Sequence, residues 1–197
     1  MNAKIVLPDG VIGSTTHSES VSGGSYPPRA ASNKHIMWII TAPSSGGKST
    51  FIDSPTAVEM TGLRSDQWMQ SNHYVKRGKR RKGSFYFHLC MKSDIAFPFG
   101  EIIKDPMHKR ALVLAVPQDV HKERVKKRTR DAKAGLAPAT HPNILLKLSA
   151  EKYLSLYEAC IDQLKKNNIP YQILHAAQPG YPEVDEADLP QILGGNE

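Results

Sequence analysis

The chain has 197 residues, 40% hydrophobic and 23% charged, with 26 basic against 19 acidic side chains and a formal net charge of +7. That length suits one domain of ordinary size with flanking segments, and no run of apolar residues is long enough for a membrane span. Cys90 and Cys160 stand far apart without a C-x-x-C spacing, which argues against a zinc or disulfide framework and for reduced thiols of a cytoplasmic protein.

In chain order, Lys4-Ile5-Val6-Leu7-Pro8 lacks the apolar core of a secretory signal. Residues 9–33, dominated by Gly, Ser, Thr and Pro without apolar periodicity, read as a flexible arm or long loop. The domain organisation expected is therefore an arm over 1–33, an ordered domain over 34–175 and an acidic tail over 176–197. The strand Ile36–Thr41 then runs into Ala42-Pro43-Ser44-Ser45-Gly46-Gly47-Lys48-Ser49-Thr50. This follows the phosphate-loop pattern G-x-x-x-x-G-K-[ST] except at its first position, Ala42, where a glycine would take positive φ more freely. Small residues from Ser44 to Gly47 let successive N–H groups turn around a phosphate, and a helix starting near Gly47 presents its positive end. Lys48 then meets the β and γ phosphates of a nucleotide such as ATP, and the Ser49 hydroxyl is a Mg²⁺ ligand.

Pro55 keeps the helix from Lys48 short, and a second helical piece spans Thr56–Met60 before Gly62. Leu63-Arg64-Ser65-Asp66-Gln67-Trp68-Met69-Gln70 follows, and then the basic run Lys76, Arg77, Lys79, Arg80, Arg81 and Lys82. Phe85–Met91, rich in aromatics, reads as a central strand in which His88 is a satisfied core histidine. Asp94, just beyond it, is the better candidate for the carboxylate that anchors Mg²⁺, since the continuous apolar strand Ala111–Val116 ends in Pro117-Gln118 without an acid. A basic helix Gln118–Lys133, an amphipathic helix Ser149–Asn167 and a last strand Ile169–Leu174 complete the alternation. Strands alternating with helices predict an α/β fold, a mainly parallel sheet with helices on both faces. The segment 176–197 carries five acids and no Lys or Arg, so residues 1–175 hold 26 basic against 14 acidic side chains, a balance of +12 that points to a polyanionic partner.

With these elements placed, residues 34–175 resemble the small P-loop kinases of the nucleotide, polynucleotide and metabolite kinase type. The resemblance implies a three-layer P-loop NTPase fold. It assigns Asp66, about 18 residues past Lys48, as the general base at the end of the second strand; the plainer alternative is an N-cap for the Gln67-Trp68-Met69 turn. It also makes Arg124, Arg128 and Arg130 lid residues closing over the transferring phosphate, where the alternative is a solvated helix face. In size, charge and architecture the chain is similar to bacteriophage kinases that phosphorylate hydroxymethylated pyrimidines in DNA, whose place would be the host cytoplasm. The expected activity is transfer of the ATP γ-phosphate to a hydroxyl on a nucleotide or DNA, with the basic run steering the strand and Trp68 and Tyr74 stacking on a base. A small-metabolite kinase and a non-catalytic ATP-binding module remain open beside it, as does the choice between Asp66 and Asp94 as base.

Overall fold

The computed structural model describes residues 35–70 (backbone only at 69 and 70), 83–91, 100, 102–136 and 146–194. All belong to the unit Asn33–Glu197, and the arm expected over 1–33 lies outside the described residues. The elements are β1 (Ile36–Ala42), α1 (Lys48–Ile52), α2 (Pro55–Thr61), β2 (Trp68–Gln70), β3 (Phe85–Cys90), β4 (His108–Ala115), α3 (Gln118–Lys133), α4 (Ala150–Lys166), β5 (Tyr171–His175), β6 (Glu183–Val184) and α5 (Leu189–Gly194).

The strands form one sheet in the order β2-β3-β1-β4-β5-β6, parallel throughout except for the two-residue β6. β1 is central: Ile39 lies beside Phe87 on one flank and Ala111 on the other. Covered on both faces, β1 and β4 are apolar at consecutive positions instead of alternating. Met37, Ile39, Phe87 and Val113 point to one face, against Tyr153, Tyr157, Ile161 and Leu164 of α4. Trp38, Ile40, Tyr86 and Leu112 point to the other, against Phe51 and Ile52 of α1 and Ala57 of α2.

The crossover from β1 to β2 runs outward past β3 on the α1–α2 face, and the one from β4 to β5 runs the opposite way with α4 on the other face. One handedness requires this: reversing direction moves the helix to the other face. The reversal happens around β1, so the crevice at a topological switch point opens where β1 ends.

The local reasons are ordinary ones. Ser54 caps α2 by accepting from the Ala57 N–H, Pro55 takes the first turn, and Gly62 ends the helix at φ 70°. Ser149 caps α4 likewise, and Lys165 and Lys166 sit in its last turn. The hydroxyls of Tyr153 and Tyr157 reach from α4 to the end of β4: Tyr153 donates to the Val116 carbonyl at 3.0 Å, and Tyr157 accepts from the Val116 N–H at 3.2 Å.

Two expectations change. The second strand is Trp68–Gln70, so Asp66 precedes it instead of ending it. The acidic stretch expected as a tail from residue 176 is part of the folded unit. Val184 pairs with Ile173, Glu186 accepts from Lys165 Nζ and the Tyr171 hydroxyl at 2.7 Å each, and Leu189 and Leu193 lie in the α4-side core. Among the described residues, no helix is long and apolar enough to cross a membrane.

Candidate phosphate-binding site

The loop leaves β1 at Ala42 and turns tightly, with the Gly46 N–H donating to the Pro43 carbonyl at 3.0 Å. Positive φ angles alternate along it, 65° at Ser45 and 87° at Gly47 with no positive value at Gly46 between them. Alternating backbone hand makes successive N–H groups converge, which is the geometry of an anion nest. Gly46 is required by close approach, since a Cβ there would lie 2.7 Å from Ala42 Cβ and 2.9 Å from the Pro43 carbonyl. Ala42 is still a strand residue without positive φ, so its departure from the motif carries no backbone strain.

Lys48 is the charged centre of the loop, 8% exposed, with Nζ donating to the carbonyls of Ala42 at 2.8 Å and Pro43 at 2.9 Å. Burial pulls its pKa below the usual lysine value; Cys90 opposes that shift and Arg128 adds to it. His88 projects from β3 beside it, and burial, together with the Lys48 charge, holds its pKa down at about 4, so the ring is neutral at physiological pH. It is no satisfied core histidine: it borders the loop's cleft, and its Nε2 is buried without a hydrogen-bond partner. Its other neighbour is the half-exposed Trp68, with ring centroids 5.5 Å apart.

Three side chains of α3 meet three consecutive loop residues. His121 Nε2 lies 2.7 Å from the Ser44 carbonyl, Arg128 Nη1 is 3.5 Å from Ser45 Oγ, and Arg124 Nη1 is 3.4 Å from the Gly46 carbonyl. Positions 121, 124 and 128 are i, i+3 and i+7, one stripe of a helix. Arg124 also donates to the Ala176 carbonyl at 3.2 Å, tying the stripe to the end of β5. Together the loop from Ser44 to Thr50, His88 and Cys90 of β3, and Arg124 and Arg128 line a cleft of about 580 Å³. That volume is within the usual range for a small-molecule site. Among the described residues lining it, Lys48, Arg124 and Arg128 are cationic and none is a carboxylate.

The structure thus brings together Ser44, Ser45, Gly46, Gly47, Lys48, Ser49, Thr50, Arg124 and Arg128. Arg130 is exposed on α3 and apart from the cleft lining. Asp66 is separated from the loop. Trp68 lies level with Trp38 across the sheet, so Asp66 sits near the start of the strands and the loop leaves from their end. At about 3.3 Å per residue that is on the order of 20 Å, and the carboxylate instead pairs with Arg64 at 3.5 Å on the surface. A general base must come within hydrogen-bond reach of its proton, so Asp66 is not placed for that role. Asp94, Tyr74 and the run Lys76, Arg77, Lys79, Arg80, Arg81 and Lys82 lie outside the described residues. His121 was missed by sequence reasoning; its spacing from the two arginines was the available signal.

The donors fit a nucleoside polyphosphate, with converging N–H groups, a buried ammonium and two guanidinium groups. Ser49 lines the cleft, and its hydroxyl is a hard oxygen of the kind Mg²⁺ takes. Compared with known proteins, the chain matches no family model and no curated protein.

Proposed function

We propose that the chain is an ATP-dependent phosphotransferase of the small P-loop kinase type, with the three-layer fold of that superfamily. The carrying observation is the convergence of buried Lys48, inside a loop of alternating hand, with Arg124 and Arg128 from α3. The position of the loop at the switch point of the sheet supports the same reading.

Phosphoryl transfer demands positioning and charge neutralisation more than covalent chemistry. The loop N–H groups and Lys48 hold the β and γ phosphates. Arg124 and Arg128 rest on Gly46 and Ser45 through long contacts of 3.4 and 3.5 Å, weak enough to be exchanged for the equatorial oxygens of the transferring group. Ser49, with Asp94 as the candidate carboxylate, would hold Mg²⁺, which would supply charge neutralisation to the phosphates. The acceptor oxygen forms its bond to the γ phosphorus as the bond to the β–γ bridging oxygen breaks, ADP leaves with that oxygen, and the hydroxyl proton passes to Asp94, the other candidate base, or to water. The acceptor proposed is a hydroxyl on a nucleotide or on DNA, supported by the +12 balance of residues 1–175 and the six cations of Lys76–Lys82.

The test is ADP release from Mg–ATP in the presence of single- and double-stranded DNA with and without hydroxymethylated pyrimidines, of nucleotides, and of a metabolite panel. Turnover with DNA or nucleotide supports the proposal. Turnover confined to a metabolite moves the acceptor, and ATP binding without turnover leaves a regulatory module. If DNA meets about four of the six cations, log K against log salt falls with a slope of roughly −3 to −4, flattened when Lys79, Arg80 and Arg81 become Gln.

A further inference from the structure

The chemistry proposed above uses Lys48 and the two arginines but gives no task to the third member of the stripe. His121 is fully buried, its ring stacked on Tyr153 with centroids 5.3 Å apart and planes at 27°. A carbonyl oxygen has no proton to give, so the 2.7 Å contact with Ser44 requires a proton on His121 Nε2. Nδ1 is buried without a partner, so the ring is the neutral tautomer with its lone pair inward. In a trans peptide the carbonyl and the next N–H point in opposite directions. Fixing the Ser44 carbonyl on the His121 side therefore turns the Ser45 N–H the other way, and Ser45 is where the loop takes its first positive φ.

We propose that His121 is the positioning residue of the phosphate loop: its neutral ring, braced by Tyr153, holds the Ser44 carbonyl outward and the Ser45 N–H toward the bound phosphate. The inference deepens the phosphotransferase reading and rests on it. Protonating the ring puts a third cation beside Lys48 of α1 and Arg124 of α3, and a proton on Nδ1 where no acceptor stands. Tyr153 of α4, itself within reach of Tyr157 and of the Asp119 charge, is the remaining titratable neighbour. Burial already pulls the His121 pKa below its ordinary value, and Lys48 and Arg124 act in the same direction, against the Ser44 hydrogen bond.

The experiment is calorimetric binding of Mg–ATP and of inorganic tripolyphosphate to the parent, His121→Phe and His121→Gln at pH 7.5. Phe keeps the stack and removes the donor, and should weaken both probes about 3–10-fold at pH 7.5. Gln supplies an amide donor that does not titrate, and should recover most of that loss. Long-range ¹H–¹⁵N spectra of the unliganded parent should show the Nε2–H tautomer at neutral pH. Equal binding by Phe and parent, or the Nδ1–H tautomer, overturns the positioning role while the phosphotransferase reading stands. A parent that binds neither probe defeats that reading, and the positioning role falls with it.

Discussion

Replacing Lys48 with methionine separates what the ammonium does for the fold from what it does for a ligand. Its two acceptors do not depend on it alone. The Ala42 carbonyl also accepts from the Met91 N–H at 3.0 Å, and the Pro43 carbonyl also accepts from the Gly46 N–H at 3.0 Å. Removing Nζ leaves neither oxygen unpaired, and an unbranched thioether follows the same buried path. The change also removes an ammonium that is charged against the pull of burial. The fold should therefore hold its melting temperature or gain a little. Binding is different: a hydrogen bond to a charged phosphate oxygen contributes about 1.5–3 kcal/mol, so Mg–ATP affinity should fall ~10–150-fold. Calorimetric titration measures the second quantity and thermal denaturation without nucleotide the first. Undiminished affinity would refute the phosphate-loop assignment. A melting temperature lowered by more than about 4 °C, worth roughly 1–2 kcal/mol in a domain of this size, would show that the ammonium is a structural tie.

Gly46→Ala should destabilise the chain by about 1–3 kcal/mol in denaturant titration; adding Ala42→Gly should not restore it, because the Pro43 carbonyl, 2.9 Å from the new Cβ, is backbone. Leu193→Ala, in the segment once read as a tail, should cost about 2–4 kcal/mol by the same measurement, because Leu193 is 2% exposed in the α4-side core. Asp66→Asn should leave ADP release rates within about twofold of the parent, since its carboxylate pairs with Arg64 on the surface; a larger fall in turnover with ATP binding intact would return it to the site. His88 has a folded pKa of about 4, below its ordinary 6.5. Its contribution is thus complete above pH 6.5 and lost as pH falls toward 4, by up to about 3 kcal/mol for a sealed ring and less for one bordering a cleft. Stability measured from pH 7 to pH 4.5 should decline, and His88→Asn should flatten the decline; an unchanged slope would show that another group carries it.

The parts of this molecule legible in the sequence are those governed by local chemistry. Ile36–Thr41 and Ala111–Val116 announce buried parallel strands because both faces are apolar. The loop announces itself because a phosphate nest needs small residues and a lysine in fixed order. Gly62 and Ser149 mark helix ends for equally local reasons. What stayed hidden depends on partners distant in sequence. Trp68–Gln70 is three residues long and becomes a strand only beside Tyr86 and His88. Leu189 and Leu193 sit among acids that mask them, and their place is explained by the surface of α4. His88 looked like a core residue inside an aromatic run; only the register that sets it level with Ile40 brings it to the cleft. His121 acquires meaning from Ser44, 77 residues away.

The central position of β1 bears on how the protein is made. Its Ile39 pairs with Phe87, 48 residues further on, and with Ala111, 72 further on, and Ala111 pairs in turn with Tyr171, 60 beyond that. None of these contacts is local, and pairings of such span close large loops of chain before they return any stabilisation. Folding of this sheet is accordingly slow for its size. The loop after β1 is held by α3, from later in the sequence, so its final shape follows the flanking strands instead of guiding them. A ligand that recognises that shape has nothing to grip in the transition state for folding; it should retard unfolding and leave the refolding rate untouched.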